Sequence, residues 1–163
     1  MHSVLHQKLK NGGFEIVKNR NLLEIPKKLV ERYTNIPTEY FLFLKSFETI
    51  TNSSDTAWFN SVQDFNEQSN NEYKWNEFEI LSLEWSEDDD EELENVAEFW
   101  NRHIPILLSV KDGFQFLAIS LTNENYGEIV HGQEPVFEEI TKICNNFNEL
   151  INLLENNKLQ HLI

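Results

Sequence analysis

Three segments of the chain place apolar residues at positions i, i+3, i+4 and i+7, the spacing that forms one face of an α-helix. The first predicted helix is preceded by Pro37, the second by Ser86 with Asp89 in a capping-box-like pattern, and the third by Asn145 or Asn146 as cap. The three apolar stripes are Tyr40, Phe43, Leu44 and Phe47; Leu93, Val96, Ala97 and Trp100; and Phe147, Leu150, Ile151 and Leu154.

Apolar runs without helical spacing predict β-strands. A short helix that starts at Pro26 and a helical turn that starts at Ser61 lie between them. The predicted strands cover residues 14–17, 57–60, 78–81, 104–111, 114–121, 127–131 and 136–143, with polar loops over residues 51–55 and 67–76.

The dipeptide Asp112-Gly113 lies between two of these runs, which is the strongest short-range signal for a β-hairpin. A two-residue turn at this point places Lys111 opposite Phe114. The resulting register pairs Leu108 with Leu117, Ile106 with Ile119 and Ile104 with Leu121. We therefore expect these six residues to share one buried face of a sheet, with a semi-apolar and partly covered face opposite.

The order of the elements predicts an α+β fold. Helices come first, then an antiparallel meander and a closing helix, which favours an antiparallel sheet of about four to six strands with helices packed mainly on one side. No internal repeat and no linker rich in Pro or Gly interrupts the chain. Residues 1–163 are therefore expected to form a single domain of ordinary size.

Charge adds information because it is unevenly distributed. The formal net charge is −15; residues 1–33 carry 7 Lys and Arg against 3 Asp and Glu, whereas residues 64–98 carry 14 acidic residues and one Lys. A field of this sign repels nucleic acid and anionic membranes and attracts basic proteins. We expect a basic protein partner, no nucleic acid and no membrane. The alternative is that the charge serves solubility alone.

The densest acidic run, residues 87–92, lies between Trp85 and Glu94. Acids in the first turn of a helix stabilise it through the helix dipole, but this run is longer than that purpose requires. Trp58, Trp75 and Trp85 lie near loops and the acidic segment, and aromatic residues among charges are typical of protein interfaces, although core packing of all three is an alternative. A solvated helix start and core packing of the Trp are the alternatives. We predict a partner-binding surface of Trp85, Asp88, Asp89, Asp90, Glu91, Glu92 and Glu94.

The sequence contains no recognisable arrangement of catalytic or metal-ligating residues. The five His residues are scattered, the single Cys144 has no partner at metal or redox spacing, and the Gly residues spell no nucleotide-binding motif. The acidic run lacks the alternating ligands and central Gly of a calcium loop. We expect no catalytic residue, no metal, no cofactor and no enzymatic activity, with Cys144 as a core residue.

Two short motifs, IPTEYFLFL at residues 36–44 and NNFNELI at residues 145–151, stand at the two ends of a series of motifs. This series resembles the SUKH superfamily, because the first motif is similar to that family's L-P-x-x-Y-x-x-F-L opening and the second to its closing S-F-x-x-F-L helix. The resemblance covers residues 26–155. It departs from the family pattern at residues 46–50, where Asn-Gly-Gly is frequent, and at residues 117–119, where an acidic residue is usual. The matching motifs between the two ends are Trp58-Phe59, Phe99-Trp100, Ile104-Pro105-Ile106 and Asp112-Gly113.

The superfamily includes bacterial immunity proteins of polymorphic toxin systems and fungal regulators of cell-wall synthesis, and it has no shared catalytic residues. The resemblance therefore implies an immunity protein that binds and neutralises a cognate toxin by occlusion, and the acidic charge of this chain predicts that the toxin is a basic, nuclease-like domain. The alternative is a non-catalytic regulatory scaffold that binds host proteins. One cysteine and no apolar N-terminal stretch predict a cytoplasmic protein.

Overall fold

The chain folds around one antiparallel sheet. A computed structural model describes residues 2–18 and 23–163, and in that part of the chain the sheet has seven strands that lie in sequence order. Because each strand pairs with the next, β1 and β7 form the two edges. The strands are β1 (Phe14–Lys18), β2 (Phe47–Asn52), β3 (Ala57–Phe59), β4 (His103–Ser109), β5 (Gln115–Ser120), β6 (Ile129–Gln133) and β7 (Val136–Cys144).

Helices cover both faces of this sheet. Five of them contribute to the core on one face, and α5 and α6 contribute to the core on the other. The α+β class with helices mainly on one side is therefore confirmed, with seven strands in the described residues where four to six were expected. The helices are α1 (His2–Asn11), α2 (Lys27–Arg32), α3 (Thr38–Leu44), α4 (Val62–Phe65), α5 (Glu77–Trp85), α6 (Asp90–Asn101) and α7 (Phe147–Glu155).

Aromatic rings fill both cores. In the larger one, Phe43 of α3 packs against Phe147 of α7 with ring centroids 4.8 Å apart. In the smaller one, Trp100 of α6 packs against Phe116 at 4.9 Å, and its indole nitrogen donates a hydrogen bond to Glu138 Oε1 at 2.9 Å. Since both faces of β4 and β5 are buried, the central hairpin belongs to both cores at once.

Local signals start several helices as predicted. Pro26 and Pro37 directly precede α2 and α3. Ser61 and Asp64 form a reciprocal capping box at α4, and Asn146 accepts a hydrogen bond from the Glu149 N–H at the start of α7. These predictions are confirmed because each depends on residues that are neighbours along the chain.

Two assignments made from hydrophobic spacing are wrong. Residues 78–81, predicted as a strand, belong to helix α5, where Phe78 and Ser82 are buried one turn apart. The helix predicted to include Phe47 ends at Leu44, and Phe47 begins β2, although its ring still packs on Phe43 at 5.3 Å. Short apolar runs do not distinguish strand from helix, and packing against the rest of the fold decided both cases.

The hairpin at Asp112-Gly113 is present, but its predicted register is wrong. Residues 110–114 separate β4 from β5 instead of a two-residue turn, and Gly113 has a φ of +94° that favours glycine. The paired residues are Ile104 with Ile119, Leu107 with Leu117, and Leu108 with Phe116.

A shift of register between Pro105 and Leu107 changes which residues face each core. Such a bulge adds a residue to one strand and re-aims the side chains beyond it. Ile106 and Leu107 therefore both join the larger core, whereas Leu108 joins the smaller one. Ile104, Ile106, Leu117 and Ile119 share a buried face as predicted, with Leu121 packed against it, and the placement of Leu108 on that face is wrong.

Candidate protein-binding surface

The sequence-predicted surface residues lie at the junction between α5 and α6. Trp85 is the last residue of α5, and Asp88 and Asp89 lie in the short connection that follows. The carboxylates of this connection and of the first turns of α6 are all exposed to solvent. The carboxylates are those of Asp88, Asp89, Asp90, Glu91, Glu92 and Glu94.

Asp89 has a structural role at this junction. Its carboxylate oxygen Oδ1 accepts hydrogen bonds from the N–H groups of Glu91 and Glu92, both at 3.1 Å. Asp89 is thus the N-cap of α6, and the prediction that Ser86 begins this helix is wrong: the Ser86 N–H donates to the Ser82 carbonyl and ends α5. Asp89 of the acidic run therefore stabilises the start of α6, in agreement with the alternative that this run is a solvated helix start.

The remaining carboxylates of the junction face solvent and form no salt bridge with a cation among the described residues. Among residues 2–18 and 23–163, the salt bridges of the acidic interval 64–98 join Glu79 to Arg32 and Glu98 to Arg102. Uncompensated charges close together add their fields outside the molecule. The junction is therefore a region of negative potential that favours a cationic ligand.

Trp85 is exposed over 57% of its surface, which is high for a residue type that is usually well buried. Its ring lies nearly parallel to that of Phe137 on β7, with an interplanar angle of 14° and centroids 5.6 Å apart. Phe137 is fully buried and stacks in turn on Phe78 at 4.7 Å. Trp85 is therefore a fixed aromatic surface supported by the smaller core.

The two other Trp residues near predicted loops are half-buried. Trp58 stacks on Tyr73 at 6.0 Å, and Trp75 packs against Phe65 at 5.1 Å. For both, the core-packing alternative accounts for the structure. Trp85 is the Trp residue included in the predicted binding surface, and its role in binding stays a prediction.

Val136, at the start of edge strand β7 and next in sequence to Phe137, is 45% exposed. Sequence reasoning did not single it out. Its run of apolar and polar residues predicted a strand, but only the order of strands in the sheet makes that strand an edge. The edge position of β7 leaves its outer backbone groups unpaired with any strand in the described part of the chain.

Cys144 and His103, two side chains that could carry chemistry, are both packed against other residues of the fold. Cys144 is buried in the larger core, as predicted, and burial raises the pKa of its thiol to about 11. His103 stacks on Phe99 at 4.2 Å and its Nδ1 lies 2.8 Å from the Phe99 carbonyl oxygen. No group of three or more metal-ligating side chains is assembled within the described residues.

One open groove has a mostly apolar lining and few groups able to carry chemistry. It has a volume of about 680 Å³ and lies between α1, α3 and α7. Its charged lining residues are Lys8 and Glu39, and Lys8 is paired with Glu155 at 3.4 Å. No helix in the described ranges has both the length and the apolar character needed to cross a membrane.

In the residues that the structure describes, the chain forms an α+β domain around an open seven-stranded sheet. This domain presents an acidic helix junction beside an exposed aromatic ring, and the two features define its class. The chain belongs to the SMI1 / KNR4 family (SUKH-1), whose family model matches residues 17–153. The predicted membership of the SUKH superfamily is thereby confirmed. Domains of this family are known for toxin immunity or related roles, which indicates a protein partner. No curated protein and no solved structure matches the chain significantly.

Proposed function

We propose that this protein is an immunity protein that binds and neutralises a cognate toxin by occlusion. The observation that supports the proposal most directly is the uncompensated acidic junction between α5 and α6, which complements a basic protein. Nuclease domains carry such basic surfaces because they bind a polyanion. The partner is therefore proposed to be a basic, nuclease-like toxin domain in the cytoplasm.

The distribution of charge and apolar surface supports occlusion as the mechanism. Long-range attraction between the acidic junction and a basic toxin speeds their encounter, and a central aromatic residue surrounded by polar groups holds the complex. Because the same basic surface would bind nucleic acid, covering it blocks the toxin without any chemical step. We accordingly propose that the protein has no catalytic activity and needs no cofactor.

Co-expression tests the proposal. The test needs a candidate toxin domain, taken from the genes that neighbour the gene for this chain, and this domain is produced in a bacterial host alone and together with the chain. The toxin alone should arrest growth, co-expression should restore it, and the two proteins should copurify in equal amounts. A variant with the acidic junction neutralised should protect less well. Leu42→Ala, an exposed substitution on α3, should protect fully. Growth arrest that persists with both proteins present at matched levels would contradict the proposal.

The alternative is a non-catalytic regulatory scaffold that binds host proteins. It is favoured by the match to the family model that carries the SMI1 / KNR4 description. A scaffold would capture defined host proteins from a lysate and would give no protection against the neighbouring toxin. The two functions are thus separated by the same co-expression experiment combined with affinity capture.

A further inference from the structure

One face of the Trp85 ring is available for a ligand. The ring is supported by the nearly parallel Phe137 ring at 5.6 Å, and 57% of the residue remains exposed to solvent. Support from a fully buried neighbour holds the indole in one orientation, so little side-chain entropy is lost when a group stacks on it. This is the geometry of an aromatic platform.

The electrostatic surroundings of this platform favour a cation. Glu84, Glu87 and Asp88 lie within three residues of Trp85 along the chain, and all three side chains are exposed. Trp85 also ends α5, and the last turn of that helix contains no basic residue. The carbonyl end of a helix carries partial negative charge that is stabilised by a cation. No side chain in the last turn of α5 supplies this cation.

A flat cation matches these features better than a compact one. The guanidinium of arginine is planar, weakly hydrated and able to stack on an aromatic face while donating hydrogen bonds to carboxylates at its edge. The ammonium of lysine is strongly hydrated and lacks a flat face. Of the aromatic side chains, Trp binds cations best.

We propose that Trp85 and the carboxylates beside it form an arginine-binding site that anchors the basic partner. The inference deepens the proposed function, on which it rests, because the arginine is taken to belong to the toxin surface. It assigns separate roles to the two parts of the junction. The acidic run attracts any basic surface, whereas Trp85 selects arginine over lysine.

The probes for this site are two capped peptides, one of four arginines and one of four lysines. They are titrated separately into the full chain at low salt. We expect the indole N–H signal of Trp85 to move in nitrogen–proton NMR spectra, with that of buried Trp100 unchanged. The arginine peptide should bind about 2- to 5-fold more tightly than the lysine peptide, the range expected for a cation on an exposed ring.

Two variants test whether the Trp85 ring causes the preference for the arginine peptide. Trp85→Leu keeps an apolar side chain but removes the aromatic face, so the ratio of the two affinities should fall to about one. Leu42→Ala, a matched control at a residue that is 49% exposed, should keep the wild-type ratio. Equal affinities for the two peptides in the wild type, or an unchanged ratio in Trp85→Leu, would overturn the arginine-binding site.

The outcomes separate this inference from the proposed function. Protection from the toxin together with equal peptide affinities overturns the arginine site alone and leaves the immunity role standing. A preference for arginine that depends on Trp85, without protection from the toxin, supports the site and overturns the immunity role.

Discussion

The guanidinium of Arg32 donates two hydrogen bonds to the carboxylate of Glu79, at 2.9 Å from Nη1 and 2.6 Å from Nη2. Arg32 ends α2, which packs on one face of the sheet, and Glu79 belongs to α5, which packs on the other. Arg32 Nε also donates to Asn101 Oδ1 at 3.0 Å, at the end of α6. Burial is the largest single effect on Arg32 and opposes its charged form, but the hydrogen bonding to Glu79 and the charge interactions with Tyr33 and Glu79 together outweigh it and raise the pKa of the guanidinium. Arg32 therefore connects α2 to α5 through Glu79 and to α6 through Asn101.

Removing one partner of this pair should be strongly destabilising. Arg32→Met leaves the buried Glu79 carboxylate without its cation, which should lower the free energy of unfolding by about 3 kcal/mol. The double variant Arg32→Met with Glu79→Leu should recover much of that loss, because no buried charge remains. Urea denaturation of both variants measures the two changes. A single variant as stable as the wild type would show that water solvates Glu79 in the native state.

Ile106 should be a core residue of the hairpin. It is fully buried in the larger core, so Ile106→Ala should lower the free energy of unfolding by roughly 2–5 kcal/mol. Leu42→Ala, at a residue that is 49% exposed, should change it by no more than about 0.5 kcal/mol. Chemical denaturation followed by circular dichroism compares the two. Similar midpoints would contradict the placement of Ile106 in the core.

Neutralising the acidic run should slow association with the partner and leave the fold intact. The variant replaces Asp88, Asp89, Asp90, Glu91 and Glu92 by Asn or Gln. Asn serves as well as Asp at an N-cap, so the hydrogen bonds made by Asp89 should survive, and each lost first-turn charge costs about 0.3–1 kcal/mol. The rate of association with a toxin that this protein neutralises in the co-expression test should fall, since steering acts mainly on that rate.

Ionic strength provides the control for this prediction. Raising salt from low to physiological concentration should slow the wild type more than the variant, because screening removes an attraction that the variant already lacks. Surface-capture kinetics at two salt concentrations measure both rates. Equal rates and equal salt dependence would leave the acidic run as a solvated helix start.

Stability should fall as the pH drops from 7.5 to 5.5. Burial lowers the pKa of His103 below its ordinary value of 6.5, so the unfolded state takes up a proton in this range more readily than the native state. The contribution of His103 is therefore fully present above pH 6.5 and is lost below it. Burial also lowers the pKa of His131, which adds to the same slope. His103→Gln should show a smaller loss of stability over this pH range, measured by urea denaturation, and an unchanged loss would exclude His103 as a source.

Cys144 should react slowly with thiol reagents. Its pKa of about 11 leaves roughly one molecule in a thousand as thiolate at pH 8. In denaturant the thiol regains an ordinary pKa near 8.5, so its reaction with an aromatic disulfide reagent should be at least about 10-fold faster than in the native protein, after the lower nucleophilicity of the less basic thiolate is counted. Comparable rates in the two states would show that Cys144 is open to solvent.

Much of the fold was predictable from the sequence because its signals are local. Pro37, the Ser61 capping box and the Asn146 cap each act on neighbouring residues, so their helices begin where the sequence predicts. The acidic junction was predictable for the same reason: its carboxylates are consecutive along the chain. The hairpin itself also followed from two adjacent residues.

Other features depended on contacts between distant parts of the chain. The run around Phe78 and Ile80 is apolar enough for a strand, and it forms a helix because Phe78 packs on Phe137 while Arg32 holds Glu79. The bulge at Ile106 places Leu107 in the larger core and Leu108 in the smaller core.

For the binding surface, the sequence by itself determined the charge and the presence of Trp85 beside it. Only the tertiary structure decided that this Trp is exposed, because its burial depends on how much of the ring Phe137 covers. Charge is a sum over residues and can be counted along the chain, whereas exposure depends on which distant side chains pack together.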